Sequence, residues 1–563
     1  MSTNTDIAKM FHTMATILEI KGESGFKVNA NIKVARALED LVEDVASMED
    51  VTKIPGVGKS SASKIKDYLE TGKMVEFDAL RSSIPAGLLD VMRVQGLGPK
   101  KVRQLWQEAN VTDIPSLRSA IEEGRLDNLP RMGKKTIENI AQALAFVESS
   151  GDRTRIGDAM PIAQEIRAYL ESIKGVTKIA IAGSLRRGKE TIGDIDILAS
   201  TENPDALSQA FCNMESVAMV QAKGETKCSV RLESGMQVDL RVVDQNQFGA
   251  ALLYFTGSKD HNITLRERAI SQEKKLNEYA LEPANIGETE EAIYQDLGLP
   301  WIQPEIREDR GELSCKQTPN LITLQDIKSD LHCHTTASDG RMSIEELAMQ
   351  AIARGYHTIA VTDHSQSQPQ ANGLKPDRMR KHIEAIHKVN ASIREITILA
   401  GSEVDILADG TLDYDDELLS MFDIVVASPH AALSQSPQDA TKRLLAAIEH
   451  PLVHIIGHPT GRIINKRKGL EPDIPMLVAA AAEHNTALEI NANSYRLDLR
   501  DTHVRAAVEG GALLAVNTDA HKPEDFEQLQ YGILTGRRGW LAPENCINCF
   551  SHDALQTWLR RNC

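Results

Sequence analysis

Nine histidine and carboxylate side chains recur along the C-terminal part of the sequence, most of them at the end of a short apolar run. A single histidine there would more often be structural, so the ordered recurrence carries the prediction of metal binding. Imidazole with carboxylate favours manganese, zinc or iron over magnesium, and such a set suffices for about three ions if Glu403 and Asp519 bridge them. A cluster of this kind supports phosphoester hydrolysis. The nine are His332, His334, Asp339, His364, Glu403, His430, His458, Asp519 and His521.

A second set of acids lies in strand-like runs nearer the middle of the chain. Asp194 and Asp196 open the run DIDILAS, and Asp239 lies in the run QVDLRVV. Residues i and i+2 of a strand face the same side, so two carboxylates there, joined by a third from a later strand, would hold two divalent ions. A D-x-D alone is usually an ordinary surface feature. The ordered set predicts phosphoryl-transfer chemistry.

The turn Gly183-Ser184 precedes these aspartates and follows the strand-like run KIAIAG. It would present a backbone amide and a hydroxyl group to a triphosphate. Arg187 adds a positive charge where negative oxygens develop. These residues predict a nucleotide pocket beside the acids.

Three glycine-containing turns lie in the first 135 residues, at 54–59, 94–101 and 129–135. Each ends one helical pattern and begins another with lysines. Glycine lets a backbone approach a phosphate closely, and the amides of a helix N-terminus point at it, which gives sequence-independent DNA binding. The alternative is ordinary packing of helix–turn–helix pairs. The glycines concerned are Gly56, Gly58, Gly96, Gly98 and Gly133.

The elements that must position these residues follow from periodicity. Residues 1 to about 150 are expected to form short amphipathic helices. Strand-like runs at 178–183, 194–199 and 237–243 indicate a mixed α/β region, and 303–329 is polar enough for a linker or a peripheral wrap. From 329 onward strands and helices alternate, which predicts a parallel barrel with its site at the C-terminal strand ends.

Composition narrows the class of protein. The 563 residues are too many for one core, and 42% apolar with 25% charged residues is typical of globular proteins. No apolar run reaches the roughly 18 residues of a membrane span, and the acid-bearing N-terminus does not resemble a signal peptide. We therefore expect a cytoplasmic protein, and the absence of heptads or of an obvious apolar surface run favours a monomer. A net charge of −17 argues against nonspecific coating of nucleic acid, and the C-x-x-C of Cys546 and Cys549 is expected to be reduced.

The segments AGSLRRGKETIGDIDIL, VDLRVV and LLYFTGSKDHNITLRERA resemble family X DNA polymerases from residue 1 to about 315. The resemblance implies that Asp194, Asp196 and Asp239 bind catalytic Mg²⁺ or Mn²⁺. Lys259 and His261 stand where vertebrate members carry an acid and an aromatic residue. The residues implied to bind the incoming nucleotide or template are Gly183, Ser184, Arg187, Tyr254, Phe255, Gly257, Asn262 and Arg266.

Some members of this family remove a 5′-deoxyribose phosphate through a lysine Schiff base. Lys64 matches that nucleophile, and Lys27 and Lys33 fall near phosphate-binding positions. The alternative is a lysine on a helix surface that only grips phosphate.

The order of the nine C-terminal ligands resembles the polymerase and histidinol phosphatase (PHP) domain. A family X polymerase followed by a PHP domain implies a repair enzyme that fills short gaps with deoxynucleoside triphosphates. The PHP domain, with Mn²⁺ and/or Zn²⁺, would act on gapped or nicked DNA as a 3′–5′ exonuclease, and in some members it also cleaves at abasic sites. Three alternatives stay open: a nuclease whose polymerase half only binds DNA, a small-molecule phosphatase, and a scaffold. Arg462, Lys466, Arg467 and Lys468 suggest either a DNA contact or a solvated loop.

The expected fold class is multidomain: helical helix-hairpin-helix domains, an α/β nucleotidyltransferase palm and a distorted (βα)-barrel. The expected domains are a DNA-binding, lyase-like domain at 1–80, a helix-hairpin-helix subdomain at 81–155, the palm at 156–245, a nucleotide-selecting subdomain at 246–315, a linker at 316–328 and a PHP metallophosphoesterase domain at 329–563.

Overall fold

The structure, a computed structural model, forms two compact units: Met1–Gly151 with Asn465–Lys468, and Asp152–Ile464 with Gly469–Cys563. Pro55, Gln95 and Arg131 of the three predicted turns lie outside the described residues. Those described are 3–39, 41, 44–48, 50–54, 56–94, 96–127, 129–130, 132–150 and 153–560.

The first unit is helical, as its periodicity predicted. Its helices bury two apolar cores, one around Phe11, Leu38 and Ile65 and the other around Val102 and Leu105. Apolar side chains at helical spacing form these cores, because they lie on one face of each helix. The helices are α1 Thr3–Lys21, α2 Gly25–Glu39, α3 Lys59–Thr71, α4 Val75–Ser82, α5 Leu88–Val91, α6 Pro99–Ala109, α7 Ile114–Glu122 and α8 Lys134–Ser150.

The second unit begins with a five-stranded sheet in the order β2-β4-β7-β6-β5. Strands β4 and β7 are parallel and central, whereas the outer pairs are antiparallel. Helices α9 and α11 cover one face with a core that includes Ile166 and Phe211. The elements are β1 Thr154–Arg155, α9 Ile156–Glu171, β2 Val176–Ile181, α10 Gly183–Arg186, β3 Thr191–Ile192, β4 Asp194–Thr201, α11 Pro204–Cys212, β5 Val217–Lys223, β6 Lys227–Leu232 and β7 Gln237–Val242.

A small helical subdomain follows the sheet. It buries Leu265, Ile293 and Tyr294 in a core of its own. Its elements are α12 Phe248–Thr256, α13 Lys259–Ser271, β8 Lys275–Leu276, β9 Leu281–Glu282 and α14 Glu290–Asp296.

The segment 303–329, predicted to be a linker or a wrap, lies against the folded parts on both sides of it. Arg307 and Glu312 are fully buried in the helical subdomain, and the Ile322 amide donates to the Leu541 carbonyl at 2.9 Å. Short 3-10 turns at Pro304–Ile306, Glu312–Ser314 and Leu324–Asp326 punctuate it. The wrap is therefore the better description.

The predicted alternation from residue 329 is confirmed as a seven-stranded parallel sheet in the order β10 to β16, which curls into a nearly closed barrel. A parallel bridge between Cys333 and Ala520 joins the chain that follows the first strand to the chain that follows the last. The strands are β10 Ser329–Asp330, β11 Thr358–Val361, β12 Thr397–Asp405, β13 Ile424–Ser428, β14 Ile455–Ile456, β15 Ala487–Asn491 and β16 Leu514–Asn517.

Side chains alternate across this sheet. On β12, Leu399 belongs to the inner core, which Trp558 also joins, whereas Ile398 and Ala400 pack in the outer core. Ser343 caps α15 with Glu346. The helices are α15 Ile344–Ala353, α16 Pro376–Ser392, α17 Asp416–Leu419, α18 Pro437–Ile448, α19 Ile474–His484, α20 Asp501–Glu509, α21 Leu529–Arg538 and α22 His552–Leu559. Among the described residues, no helix is long and apolar enough to span a bilayer.

Candidate functional site

Strand register brings the three aspartates of the central sheet together. Asp194 and Asp196 begin β4, and Asp196 lies directly opposite Asp239 of the parallel neighbour β7. Burial, followed by the charges of Asp194 and Asp239, raises the pKa of Asp196 to about 7. A carboxylate that binds protons this readily, beside two others, fits a site for a divalent cation.

A cavity of about 470 Å³ opens beside these carboxylates. All eight predicted nucleotide residues line it, together with Asp194 and Asp196, whereas Asp239 does not reach its wall. Arg153 and Lys189 were not among the predicted residues of this site, and Lys259 was predicted only to be a departure from the family. The cavity lining is Arg153, Gly183, Ser184, Arg187, Lys189, Asp194, Asp196, Tyr254, Phe255, Thr256, Gly257, Lys259, Asn262 and Arg266.

Gly183 is required by its surroundings. Its φ is +64°, and a Cβ atom built on it would lie 2.2 Å from Oδ2 of Asp196. The turn therefore fits against the acid only without a side chain. The backbone of Gly183 and Ser184 is thereby held next to the candidate metal ligands.

The opposite wall of the cavity is formed by the end of α12 and the start of α13. Tyr254 and Phe255 pack edge to face at 5.1 Å, and the Arg241 guanidinium lies 4.4 Å from the Phe255 ring. The Asn262 side-chain amide donates to the Tyr254 carbonyl at 2.8 Å. Ring packing and this hydrogen bond fix the wall against which a sugar would lie.

The nine C-terminal ligands converge at the C-terminal ends of the barrel strands. They form three overlapping groups whose donor atoms lie within 4.8 Å of one another. His458 joins them through Glu403 Oε1, 2.9 Å from its Nε2. The groups are His334, Asp339, His364 and His521; His332, His334 and Asp519; and His364, Glu403 and His430.

The donor atoms of this cluster are better placed to bind metal ions than to hydrogen-bond with one another. Both ring nitrogens of His334, both oxygens of Glu403 and Nε2 of His332 are buried without a hydrogen-bond partner. Buried polar atoms are rarely left so, and bound cations would satisfy them. Burial, then the charges of His521 and His364, lowers the pKa of His334 to about 4, which keeps its ring neutral as a ligand must be.

Two of the candidate ligands have a left-handed backbone conformation, which residues other than glycine seldom adopt. His458 has a φ of +26° and Asp519 a φ of +55°. Left-handed backbone at residues other than glycine costs energy and persists where the surroundings determine it, often at functional sites. Both side chains are thereby aimed at the cluster from strand ends.

A second layer of acids orients these ligands, and sequence analysis missed it. Glu489 lies on β15, the one barrel strand to which no ligand was assigned. Its Oε1 lies 2.8 Å from His332 Nδ1, and its Oε2 accepts a hydrogen bond from the His458 backbone amide at 2.7 Å. Asp405 lies 3.0 Å from His430 Nδ1. Such partners fix the tautomer and the orientation of a ligating ring. An acid inside an apolar run, as in ALEINA, was the available signal.

Asp363 plays a similar part in holding the loop that carries Asp339. Its carboxylate accepts from the Thr335 amide at 2.9 Å and the Ser338 amide at 3.2 Å, and His382 Nε2 lies 2.7 Å away. His382 thereby helps to hold this loop and belongs to none of the three ligand groups.

The glycines of the N-terminal turns lie open. Gly56 and Gly96 have φ near +90° (89° and 88°), which explains glycine there. A Cβ on Gly58, Gly98 or Gly133 would meet no heavy atom of the described chain within 4 Å. Packing within the described residues therefore does not require glycine at these three positions, and their role in binding DNA stays a prediction.

Lys64 lies in a separate cavity of the N-terminal unit, of about 610 Å³, with Phe26, Lys27 and Asn31. Its ammonium group is 3.0 Å from Glu76, and its side chain is 13% exposed. The predicted phosphate-binding residue Lys33 is not part of this lining. A half-enclosed lysine beside an acid can serve either as a nucleophile or as a phosphate contact.

Arg462 is buried, contrary to both interpretations of its basic segment, a DNA contact and a solvated loop. Its side chain is 4% exposed and pairs with Glu190 of the palm at 2.6 Å.

The six cysteines among the described residues form no disulfide, as expected for Cys546 and Cys549.

Comparison with known proteins matches five segments to described domains. These are a helix-hairpin-helix domain at 2–74, a SAM-like helix-hairpin-helix tandem at 88–145, the DNA polymerase beta palm at 157–242, the DNA polymerase beta thumb at 251–308 and a PHP domain at 330–493.

Relatives are found over the whole chain and over each half. DNA polymerase/3′-5′ exonuclease PolX of Bacillus subtilis (strain 168) is 41% identical over 565 residues, 99% of each chain. DNA polymerase lambda of Rattus norvegicus is 26% identical over 54% of this chain and 56% of its own. A probable phosphatase of Syntrophotalea carbinolica is 28% identical over 39% of this chain and 90% of its own.

Proposed function

This chain belongs to the family X DNA polymerases that carry a C-terminal PHP domain, and on that premise we propose that it fills short gaps during DNA repair and trims 3′ ends. The observation that carries the polymerase half is the single cavity lined by two aspartates and all eight nucleotide residues. The observation that carries the nuclease half is the cluster of orphaned ligand atoms in the barrel.

In the polymerase reaction the primer 3′-hydroxyl displaces pyrophosphate from a deoxynucleoside triphosphate. Mg²⁺ or Mn²⁺ held by Asp194, Asp196 and Asp239 would supply activation of the hydroxyl and stabilisation of the leaving oxygens. Ser184 and the Gly183 backbone would bind the triphosphate, with Arg187 as its cation.

Selection of the nucleotide would fall to the opposite wall. The Tyr254 and Phe255 edge would exclude a ribose 2′-hydroxyl by bulk. Asn262 and Arg266 would contact the nucleotide or the template base, and the Gly257 backbone would approach the triphosphate.

In the barrel, Mn²⁺ and/or Zn²⁺, about three ions, would supply an activated water for hydrolysis of the terminal phosphodiester. The protein's own part is to hold the imidazoles and the ionised Glu403 and Asp519 in place. The 3′–5′ exonuclease is the primary activity that we propose here, and cleavage at abasic sites would use the same cluster.

The substrate would be gapped or nicked DNA, held through the open glycine turns of the N-terminal unit. Removal of a 5′-deoxyribose phosphate would use Lys64 as the nucleophile. We propose that the enzyme works as a monomer in the cytoplasm, with the domain boundaries expected from the sequence.

The test is a one-nucleotide gap with a labelled primer, in Mn²⁺, with and without nucleotides. Asp194→Asn with Asp196→Asn should abolish extension and leave degradation. His332→Asn with His334→Asn should do the reverse. His387→Ala with His484→Ala, both exposed, is the matched histidine control and should change neither.

Two outcomes would redirect the proposal. A wild type that degrades but never extends would make the polymerase half a DNA-binding platform. The similarity to a probable phosphatase supports a further assay, in which histidinol phosphate or a sugar phosphate replaces DNA as the substrate. Hydrolysis of that small molecule, without degradation of DNA, would make the barrel a phosphatase.

A further inference from the structure

Helix α21 of the barrel domain packs beneath the turn that carries the nucleotide pocket. Gly188, directly after Arg187, has a φ of +66°, and a Cβ on it would lie 3.1 Å from Leu534 of α21. The last residue of α21 is Arg538, whose side chain is 4% exposed. A barrel residue is thus buried next to the polymerase site.

Arg538 makes a complete set of polar contacts there. It donates to the Arg187 carbonyl at 2.8 Å, to Glu308 Oε1 at 2.9 Å and to Asp501 Oδ2 at 2.8 Å. The first two acceptors belong to the polymerase half, and Asp501 belongs to the barrel. The arginine therefore connects the two halves at the nucleotide pocket.

Glu308 is the carboxylate that Arg538 shares with two other cations, Arg187 and Lys189. Its carboxylate lies 2.9 Å from Arg187 Nε and 3.7 Å from Lys189, in addition to Arg538. The side chain is only 10% exposed, and the three cations hold its pKa below the usual range despite burial. Glu308 is therefore an ionised, largely buried group that binds the same arginine proposed to bind the triphosphate.

Arg187 has two competing partners once a nucleotide arrives. Nε of Arg187 donates to Glu308 and Nη1 donates to the Thr256 carbonyl, so a triphosphate that draws the guanidinium further into the cavity would weaken the contact with Glu308. A buried carboxylate left without a partner is strongly unfavourable, so the exchange needs another cation that stays with Glu308. Lys189 is farther away and 37% exposed, which makes it the weaker substitute.

We infer that Arg538 is a positioning residue for the polymerase reaction: it remains the counter-ion of Glu308 and so lets Arg187 exchange Glu308 for the triphosphate. The inference rests on the proposed role of Arg187 in binding the nucleotide. It makes the barrel domain a part of the polymerase site in addition to its own proposed hydrolytic role.

The neighbouring Arg537 provides a matched control. It lies on the same helix and also joins the two halves, through Glu305 at 2.8 Å and the Ile322 carbonyl at 3.0 Å. Its hydrogen bonds go to Glu305 and Ile322, whereas those of Arg538 include Arg187 and Glu308. A purely structural clamp would make the two arginines equivalent.

The experiment measures kcat and KM for the correct nucleotide on a one-nucleotide gap, in full-length protein. Arg538→Met should raise KM by roughly tenfold, the effect of losing one charged hydrogen bond, with a smaller change in kcat. Arg537→Met should change KM by less than about twofold. Exonuclease activity on single-stranded DNA should be retained in both, which shows that the barrel is folded.

The direction in which Glu308→Gln changes KM tests whether Glu308 competes for Arg187. If Glu308 competes for Arg187, this variant alone should keep or lower KM, and Glu308→Gln combined with Arg538→Met should restore KM to near the wild-type value. An unchanged KM in Arg538→Met, equal effects of the two arginine variants, or a raised KM in Glu308→Gln would each overturn the inference. If Arg538→Met does not fold, the glutamate variant still tests whether Glu308 competes for Arg187, and a raised KM there overturns the inference.

A further variant separates this inference from the proposed function. Arg187→Met should raise KM more than Arg538→Met does. If it leaves KM unchanged, the proposed nucleotide role of Arg187 is wrong, and the inference falls with it. If only Arg187→Met raises KM, the nucleotide role stands and the role of Arg538 is refuted.

Discussion

Replacing Glu489 with glutamine keeps the shape of the side chain and removes its charge from the wall of the barrel metal site. Glu489 is fully buried, with His332 Nδ1 2.8 Å, the His458 amide 2.7 Å and the Asn517 side-chain amide 2.9 Å from its oxygens. When Nε2 of His332 binds an ion, its Nδ1 carries the proton, and all three partners are donors. The NH₂ group of a glutamine must then face one of them.

The size of the effect follows from that mismatch. A buried donor left without an acceptor costs about 1–3 kcal/mol, which corresponds to roughly 5- to 150-fold in affinity. Second-layer substitutions at metal sites lower metal affinity by about 10- to 100-fold. We therefore expect Glu489→Gln to raise the Mn²⁺ concentration that half-activates the exonuclease by roughly tenfold or more, because the ligating rings lose their orientation.

The assay is degradation of a labelled single strand against Mn²⁺ concentration, after removal of bound metal by a chelator. Glu509→Gln is the matched control, because Glu509 is 61% exposed and its pair with Arg505 is a surface pair. Primer extension in Mg²⁺ should be the same in all three proteins. An unchanged half-activation by Mn²⁺ in Glu489→Gln would refute the argument that this carboxylate orients the ligands.

Three further predictions concern the polymerase half and the N-terminal unit. Because the pKa of Asp196 is raised to about 7, Mg²⁺ affinity should fall as pH drops below 7 and level off above it. Calorimetry in two buffers should show that Mg²⁺ binding releases about half a proton near pH 7. Binding that does not depend on pH would contradict this prediction. Gly183→Ala should reduce extension at least roughly tenfold and spare the exonuclease, because the new methyl group meets Asp196; normal extension would show that the turn adapts. Lys64→Arg should abolish borohydride trapping of 5′-deoxyribose phosphate DNA, since it keeps the charge and removes the nucleophile; continued trapping would assign the Schiff base to another lysine.

Much of both candidate sites was predictable because the residues repeat local patterns. The H-x-H pair, the D-x-D pair and the ligands at strand ends depend on strand periodicity, which the sequence displays directly. The Ser343 cap of α15 was predictable for the same reason, since its partner Glu346 is three residues away. The barrel follows from the alternation of such elements, whereas the polymerase palm was implied by the resemblance to family X.

Residues whose role depends on a distant partner were missed or misjudged. Glu489 acts through His332, 157 positions away, and Arg462 pairs with Glu190, 272 positions away. Nothing local distinguishes Arg462 from a solvated basic residue, because its burial comes from the palm packing on the barrel. Arg538 and Arg187 are 351 positions apart and could not have been connected from spacing.

The wrap at 303–329 and helix α21 bear on how this protein could be divided into fragments. A polymerase fragment ending near residue 315 would lose Arg537 and Arg538, leaving Glu305 and Glu308 without their barrel partners. It would also lose Leu534, which covers Gly188. Such a fragment would expose charged and apolar surface that the full chain buries, and it should aggregate or bind nucleotide poorly. A nuclease-free polymerase is therefore better obtained by substituting metal ligands in the intact chain than by truncation.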